Sequence, residues 1–406
     1  MTTTSDARTR PDANLLDPIF YLGDPHGAFT WMRANEPVFR DEPNALWAVT
    51  RHADVRDVEG RPDEFVSSQG YRSFASPSET NMIAQDDPRH LEQRKLLSRR
   101  FTPKSVREHE PWLRSTVASL VDDMATTVRE GAPGVEVVDA VAAQLPCRLT
   151  AALLGWDEDR WRDLKSWSER LMRYDAIQTD AEAMMGMMQT ITEFNPELQT
   201  MVEERRGCPM HADSDLMTVW ANATIDGEVL DPESVMHETG LFISGGAETT
   251  RTLIARGLRA FCDHPDQWEA LAANPSGIPD AIEEMIRWVT PLNNMFRTAA
   301  VDTHIGDQAV EAGDRVILLY PSANRDEAVF DDPFRFDTTR HPNPHVSFGF
   351  GTHFCLGASL ARLEMQVLME ELVGRLTNLR VVTELDTEPN IFASAARSFT
   401  LGFDLR

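Results

Sequence analysis

The sharpest chemical signal in the chain is the run Phe348-Gly349-Phe350-Gly351-Thr352-His353-Phe354-Cys355-Leu356-Gly357. Its glycines permit positive φ and let another group approach the backbone closely. The run leads into a helix start, where unpaired N–H groups and the helix dipole favour a thiolate over a free thiol titrating near ~8.5. A loop of this kind can support a flat macrocycle with sulfur aimed at its metal, which suits haem iron. The competing reading is a buried structural cysteine in a Gly-rich turn. Other chemistries fit poorly. Gly349-x-Gly351-x-x-Phe354 lacks the third glycine of a dinucleotide fingerprint, and Ser244 lacks the earlier glycine of a hydrolase elbow. His237-Glu238 has no second histidine at zincin spacing.

Three more groupings have chemical spacing. Glu284 and Arg287 stand at i, i+3 and can pair on one helix face. His90 and Arg94 stand at i, i+4. Inside a long helical stretch lies Gly245-Gly246-Ala247-Glu248-Thr249-Thr250. Two glycines in a helix interior cost ~1 kcal/mol each against alanine, which argues for a reason beyond a kink. An acid beside a hydroxyl, Glu248 and Thr249, can hold water and pass protons.

Together these residues resemble the cytochrome P-450 family, in its class I, actinobacterial form. The run from Phe348 to Gly357 fills every position of the haem-binding signature Phe-x-x-Gly-x-x-x-Cys-x-Gly. The resemblance covers the chain from about Asp24 to Arg406. It implies haem b with Cys355 as axial ligand, in a loop shaped by Phe348, Gly349 and Gly357. It implies Gly245 and Gly246 opening one helix face, and Glu248 and Thr249 delivering protons. His90, Arg94, Arg297 and His353 would hold the haem propionates. Glu284, Arg287 and Arg335 would form a buried structural network. The fold implied is mainly α with small β-sheets (α+β), the haem lying between a long central helix and the Cys loop.

Stepping outward, helical patterns cover Pro88–Phe101, Ser105–Arg129, Val138–Leu154, Asp157–Ala176 and Ala181–Arg206. The longest runs from Pro232 to Cys262, with Asp231 as N-cap and Pro232 at the first position. Further helices cover Pro279–Val289 and the stretch from just after Cys355 to about Leu376. Pro37–Val49 reads as a hairpin. "FRTAAVDTHI", "DRVILLY" and "SFTLGFDLR" read as strands, and Ser67–Asp87 as a long loop. One domain of residues 1–406 is expected, its first 15 or so disordered.

Composition sets the outer limits. Among 406 residues, 42% are hydrophobic and 26% charged, an ordinary globular balance. Thirty-nine Lys+Arg against 65 Asp+Glu leave a net charge of −26, which disfavours nucleic acid and anionic membrane surfaces. Cys147, Cys208, Cys262 and Cys355 form no Cys-x-x-Cys pair and suit a reducing compartment. No apolar run reaches membrane-span length, and the N-terminus has no signal-peptide core, so a cytoplasmic monomer is expected.

Against that acidity, Arg94, Lys95, Arg99, Arg100, Lys104 and Arg107 fall in a stretch, Arg94 to Arg107, that holds no acidic residue. The bland alternative is a solvated helix face. The resemblance implies a docking site for an acidic ferredoxin, fed by NAD(P)H through a ferredoxin reductase. A substrate pocket is expected from Met82, Ile83, Met172, Leu241, Phe242, Leu292, Asn294, Met295, Ile391 and Phe392. Met184, Met185, Met187 and Met188 are candidates for an adaptable wall, core packing being the alternative. The reading that results is a haem-thiolate monooxygenase of hydrophobic small molecules. Natural-product tailoring is preferred on the size of that class, over sterol or aliphatic side-chain hydroxylation. A peroxide-driven relative would lack the Glu248–Thr249 pair. A non-catalytic haem-thiolate sensor or carrier would need neither that pair nor a basic patch.

Overall fold

The helix that crosses the molecule is Pro232–Asp263, seen in a computed structural model that describes residues 9–207, 215–225 and 227–406. Asp231 caps it by accepting from the Ser234 N–H at 2.8 Å, and Pro232 occupies the first turn where no N–H is needed. Ile243, Leu253, Ile254, Leu258 and Phe261 are buried along it, each worth ~1.5–3 kcal/mol of transfer free energy. Two of its glycines serve close crossings. A Cβ at Gly257 would stand 2.2 Å from Met285, and one at Gly246 would stand 2.8 Å from the Thr150 hydroxyl.

Around it pack Gln144–Leu154, Trp161–Met172, Ala181–Arg205 and Ile278–Val289. The expected helical regions are all present, several broken by short 3₁₀ or π turns. Helices at His26–Asn35, His52–Glu59 and Pro265–Ala273 were not foreseen. The hairpin Val38–Asp41 and Leu46–Val49 joins Arg315–Leu319, Asn294–Ala299 and Phe65–Val66 in a five-stranded sheet. "FRTAAVDTHI" divides at a turn, its second half pairing as Thr303–Ile305 with Gln308–Val310. Ala396–Leu405 pairs with Leu376–Thr387, a strand of 12 residues that the sequence pattern did not reveal.

The start of the chain is described only in part. Residues 1–8, like Cys208, lie outside the described residues. From residue 9 the chain is fixed: Arg10 pairs with Glu36 at 3.0 Å, and Leu15 is buried with its N–H on Asp41.

The network beneath the Cys loop is centred on Glu284 and Arg287, both 0% exposed, with two hydrogen bonds of 2.7 and 2.8 Å. Its third side chain is Arg340, 3.2 Å from Glu284, and not Arg335. Arg335 is exposed and gives only its carbonyl, which accepts from Arg287 and Arg340. Arg287 also donates to the carbonyls of Asn324 and Pro333 in this irregular segment. Arg335 was expected from its place in "DPFRFD"; Arg340, five residues further along an irregular stretch without a period, was not foreseen. Glu284 keeps Arg287 when Arg340 is lost, so what goes is a set of charge-assisted hydrogen bonds, worth ~1.5–3 kcal/mol. Arg340→Ala should therefore lower unfolding stability by about 2 kcal/mol and impair haem retention, while Arg335→Ala stays within about 0.5 kcal/mol of the parent. Denaturant melts of the two variants, followed by fluorescence and haem absorbance, measure the difference.

Candidate active site

Cys355 is carried by a turn closed by its own N–H on the Phe348 carbonyl, 2.8 Å. Gly349 and Gly351 have φ of 69° and 70°, the region that favours glycine, and a Cβ at Gly351 would stand 2.3 Å from the Glu59 carbonyl. The following helix, Ala358–Arg375, has Gly357 as N-cap. The N–H groups of Gly357 and Ala358, together with Arg94 and Arg362, favour a thiolate at Cys355. Burial opposes them and prevails, so the thiol is pushed up. Iron on the sulfur would add a cation to the groups that favour the ionised form.

A cavity lies between this loop and the central helix. Phe348, Gly349, Cys355 and Gly357 line one side; Leu241, Phe242, Gly245, Gly246 and Thr249 line the other. Gly245 opens onto it, with nothing within 4 Å of a built Cβ. Gly246 touches it too, but its missing Cβ chiefly admits Thr150, so the two glycines do different work.

At one edge His90, Arg94, Arg297 and His353 converge. The two imidazoles stack with centroids 4.1 Å apart. Burial lowers both, His353 to about 2 with help from Arg297, so both rings are neutral donors or acceptors at pH 7. Arg94 donates to the Phe354 carbonyl at 2.5 Å. Arg297 donates to the Phe296 carbonyl and stands 3.8 Å from Glu59, whose carboxyl takes the Tyr320 hydroxyl at 2.7 Å. Burial raises Glu59 to about 7 against the pull of Arg297. Two arginines and two imidazoles thus face Glu59 and Asp87, the latter 3.0 Å from His90, and the donors left over on the two guanidinium groups and His353 suit two propionates. With a buried sulfur opposite an open glycine face, the residues present fit haem. Glu59 and Tyr320 belong to this cluster but were missed. Glu59 sits in a short helix without motif, and Tyr320 follows a strand, so only tertiary contact brings them in.

The acid–alcohol pair is split. Thr249 lines the cavity, its hydroxyl on the Gly245 carbonyl at 2.8 Å. Glu248 points away from it, fully buried and ion-paired with Arg251, which reaches Glu169 at 2.6 Å. Successive residues on a helix face different sides, so adjacency in sequence was not adjacency in space.

The substrate lining holds most of the expected residues: Met82, Ile83, Met172, Leu292, Met295 and Phe392. Asn294 and Ile391 are corrected. Neither lines the cavity; Asn294 donates to the Ile391 carbonyl at 2.8 Å and braces the turn that presents Phe392. Met184, Met185 and Met188 are exposed on the helix Ala181–Arg205, and Met187 is half-buried away from the cavity, so this methionine cluster forms no pocket wall.

Comparison with known proteins agrees with the geometry. The family model for cytochrome P450 matches residues 278–400. A steroid C26-monooxygenase of Mycolicibacterium smegmatis is 37% identical over 398 residues, 97% of each chain. A linalool 8-monooxygenase of Pseudomonas putida is 32% identical over 394 residues, 92% of this chain and 94% of the relative. The structure of a Mycobacterium marinum cytochrome P450 in complex with pseudoionone superposes with a TM-score of 0.87 at 31% identity, covering 98% and 99% of the two chains. The chain belongs to the cytochrome P450 family. Within it, the protein is a monooxygenase, an oxidoreductase acting on hydrophobic substrates.

The loop Ser67–Asp87 covers the cavity and is latched to the central helix. Glu238 accepts from the Met82 N–H and from Gln93, both at 3.1 Å, and His237 takes the Thr80 N–H at 3.2 Å. Burial raises Glu238 to about 8. Between an ordinary carboxyl pKa near ~4.5 and about 8, only the folded state keeps this proton, so stability falls as pH rises through that window. Glu238→Gln should remove this slope. It should match the parent near pH 4.5 and exceed it at pH 9 by roughly a few kcal/mol, as urea melts at several pH values would record.

Proposed function

We propose that this monooxygenase hydroxylates a C–H bond of an isoprenoid-type substrate, with electrons from NAD(P)H through a ferredoxin reductase and a ferredoxin. The balance is R–H + O₂ + 2 electrons + 2 protons giving R–OH + H₂O. Haem b, when bound, supplies dioxygen activation and C–H cleavage. The observation that carries the reading is Cys355, half-buried and lining the floor of a mostly apolar cavity, opposite Gly245 and Thr249. The chain's own residues divide the remaining work. Cys355 ligates iron; His90, Arg94, Arg297 and His353 hold the propionates. Apolar walls exclude water and orient the substrate. The Thr249 hydroxyl holds a water at the reacting face, and Glu248 supplies its proton on leaving Arg251 and turning inward.

The substrate class draws support from the names of relatives. Steroids, linalool and pseudoionone share isoprenoid carbon skeletons. That common chemistry is preferred here to natural-product tailoring, which rested on class size. The partner reading draws support from the surface beside the Cys loop. Lys95, Arg99, Lys104 and Arg107 are exposed and Arg100 is half-buried. On the Cys loop Phe350, 37% exposed, lies under Arg56, and Phe354, 41% exposed, gives its carbonyl to Arg94. Exposed aromatics beside cations suit an acidic protein. No helix among the described residues is long and apolar enough to cross a membrane; a cytoplasmic setting is part of the proposal.

Cys355→Ala should abolish the red-shifted ferrous–CO band. Thr249→Ala should retain haem and NAD(P)H consumption while most of the reducing equivalents go to peroxide or water; unchanged coupling would remove Thr249 from the proton path. Spectral titration should give a high-spin shift with steroids or terpenoids, and silence from all of them would reject the substrate class. Charge reversal by Lys95→Glu with Lys104→Glu should slow ferredoxin-supported reduction about tenfold at low salt and flatten its ionic-strength dependence. Stopped-flow reduction under CO reads this, and an unaltered rate would move the docking site elsewhere.

A further inference from the structure

Three arginines line the cavity among the described residues. Arg94 and Arg297 belong to the cluster with His90 and His353. Arg72 does not. Its bonds run to Asp175 from Nε at 2.9 Å and from Nη2 at 2.5 Å, and from Nη2 to the Met172 carbonyl at 3.1 Å. Its guanidinium carbon lies 3.7 Å over the Phe392 ring. These partners share nothing with Cys355 or Thr249. They form a separate stretch of wall with Leu292 and Met295.

Burying an arginine is costly unless it is paired, and here the side chains of Arg72 and Asp175 are both 5% exposed. Two N–H groups on one Asp175 oxygen and the aromatic face meet most of that cost. They do not use the whole guanidinium. Nη1 has no protein partner among the described residues, so its N–H groups are available in a wall otherwise apolar. Asp175 cannot readily turn away, because its other oxygen takes the Ser73 N–H at 2.8 Å. The pair is therefore electrically neutral and fixed, with one donor edge free.

We propose that Arg72 is a specificity residue that donates through Nη1 to a neutral oxygen, a carbonyl or hydroxyl, on a part of the substrate other than the C–H that reacts. A carboxylate is disfavoured, since it would meet Asp175 beside the same guanidinium. The substrate is thus an oxygenated isoprenoid rather than a hydrocarbon or an acid. This rests on the isoprenoid reading above, and the test separates the two.

The experiment is spin-state titration of the haem-loaded enzyme with matched pairs: cholest-4-en-3-one against cholest-4-ene, and 2-tetradecanone against tetradecane. The parent should bind the ketone of a pair at least about tenfold more tightly, as a site built to hydrogen-bond an oxygen does. Arg72→Met should reduce that ratio to within about twofold, chiefly by loss of ketone affinity. A parent with no preference in either pair overturns the proposal. So does a variant in which both members weaken equally, the result expected of a purely structural ion pair. Should Arg72→Met fail to give the ferrous–CO band, Asp175→Asn serves instead. It keeps an acceptor for Ser73 but unbalances the charge, and should shift preference toward 3-oxocholest-4-en-26-oic acid; no shift overturns the proposal. If the tetradecane pair binds and the steroids do not, the isoprenoid reading fails while the Arg72 ratio is still read.

Discussion

The structure depends on one ion pair that water never reaches. Glu284 and Arg287 lie in the helix Ile278–Val289 with no exposed surface, and Arg340 closes on them from an irregular segment. That segment, between the strand Arg315–Leu319 and the Cys loop, has little regular structure of its own, yet much of it is buried. Its carbonyls need donors. Arg287 provides them to Asn324, Pro333 and Arg335, and Asn343 returns a bond to Glu284 at 3.0 Å. An ionic centre of this kind adds little net stability over a well-packed apolar one. What it fixes here is geometry: the chain arrives at Phe348 in one place, so Cys355 faces the central helix.

The legible parts of the sequence were those in which local chemistry and global position coincide. The Cys loop was readable because its glycines answer positive φ and a close backbone approach at Gly351, needs that leave few other residues possible. The central helix was readable from its cap and length. Arg340 was not foreseen in place of Arg335 because a network member is chosen by the path of an irregular chain, which has no period. Asn294 and Ile391 were placed in the pocket because they neighbour true lining residues; strand alternation and a tight turn put them behind it. The exposed methionines mark the limit of composition as evidence, since a polarizable side chain has no fixed address.

Glu248 and Glu238 show the same constraint from two sides. Both are buried acids on the central helix, and both are raised by desolvation. Glu248 has a cation at hand in Arg251, with Glu169 beyond it at 40% exposure. Glu238 has backbone and amide donors, and the charge of Arg89 also acts on it. The first is therefore linked outward through its ion pair; the second anchors a loop. One helix carries an acid tied toward the surface and another tied to the cover of the cavity.

This division bears on how a cavity can be apolar and still perform redox chemistry. The charged groups lie at its margins: the propionate cluster at one edge, Glu248 behind the helix, Arg72 and Asp175 neutralised in the wall. Between them stand Leu241, Phe242, Leu292 and Met295, with Thr150, Ser244, Thr250 and the buried Glu364 as further polar lining. Water entering the apolar part of such a space finds few partners. Thr249 presents its hydroxyl on the cavity side, while the carboxyl next to it in sequence is tied to Arg251 on the other. On the proposed relay, the orientation of a single helical residue would separate the acid from the hydroxyl that holds the water.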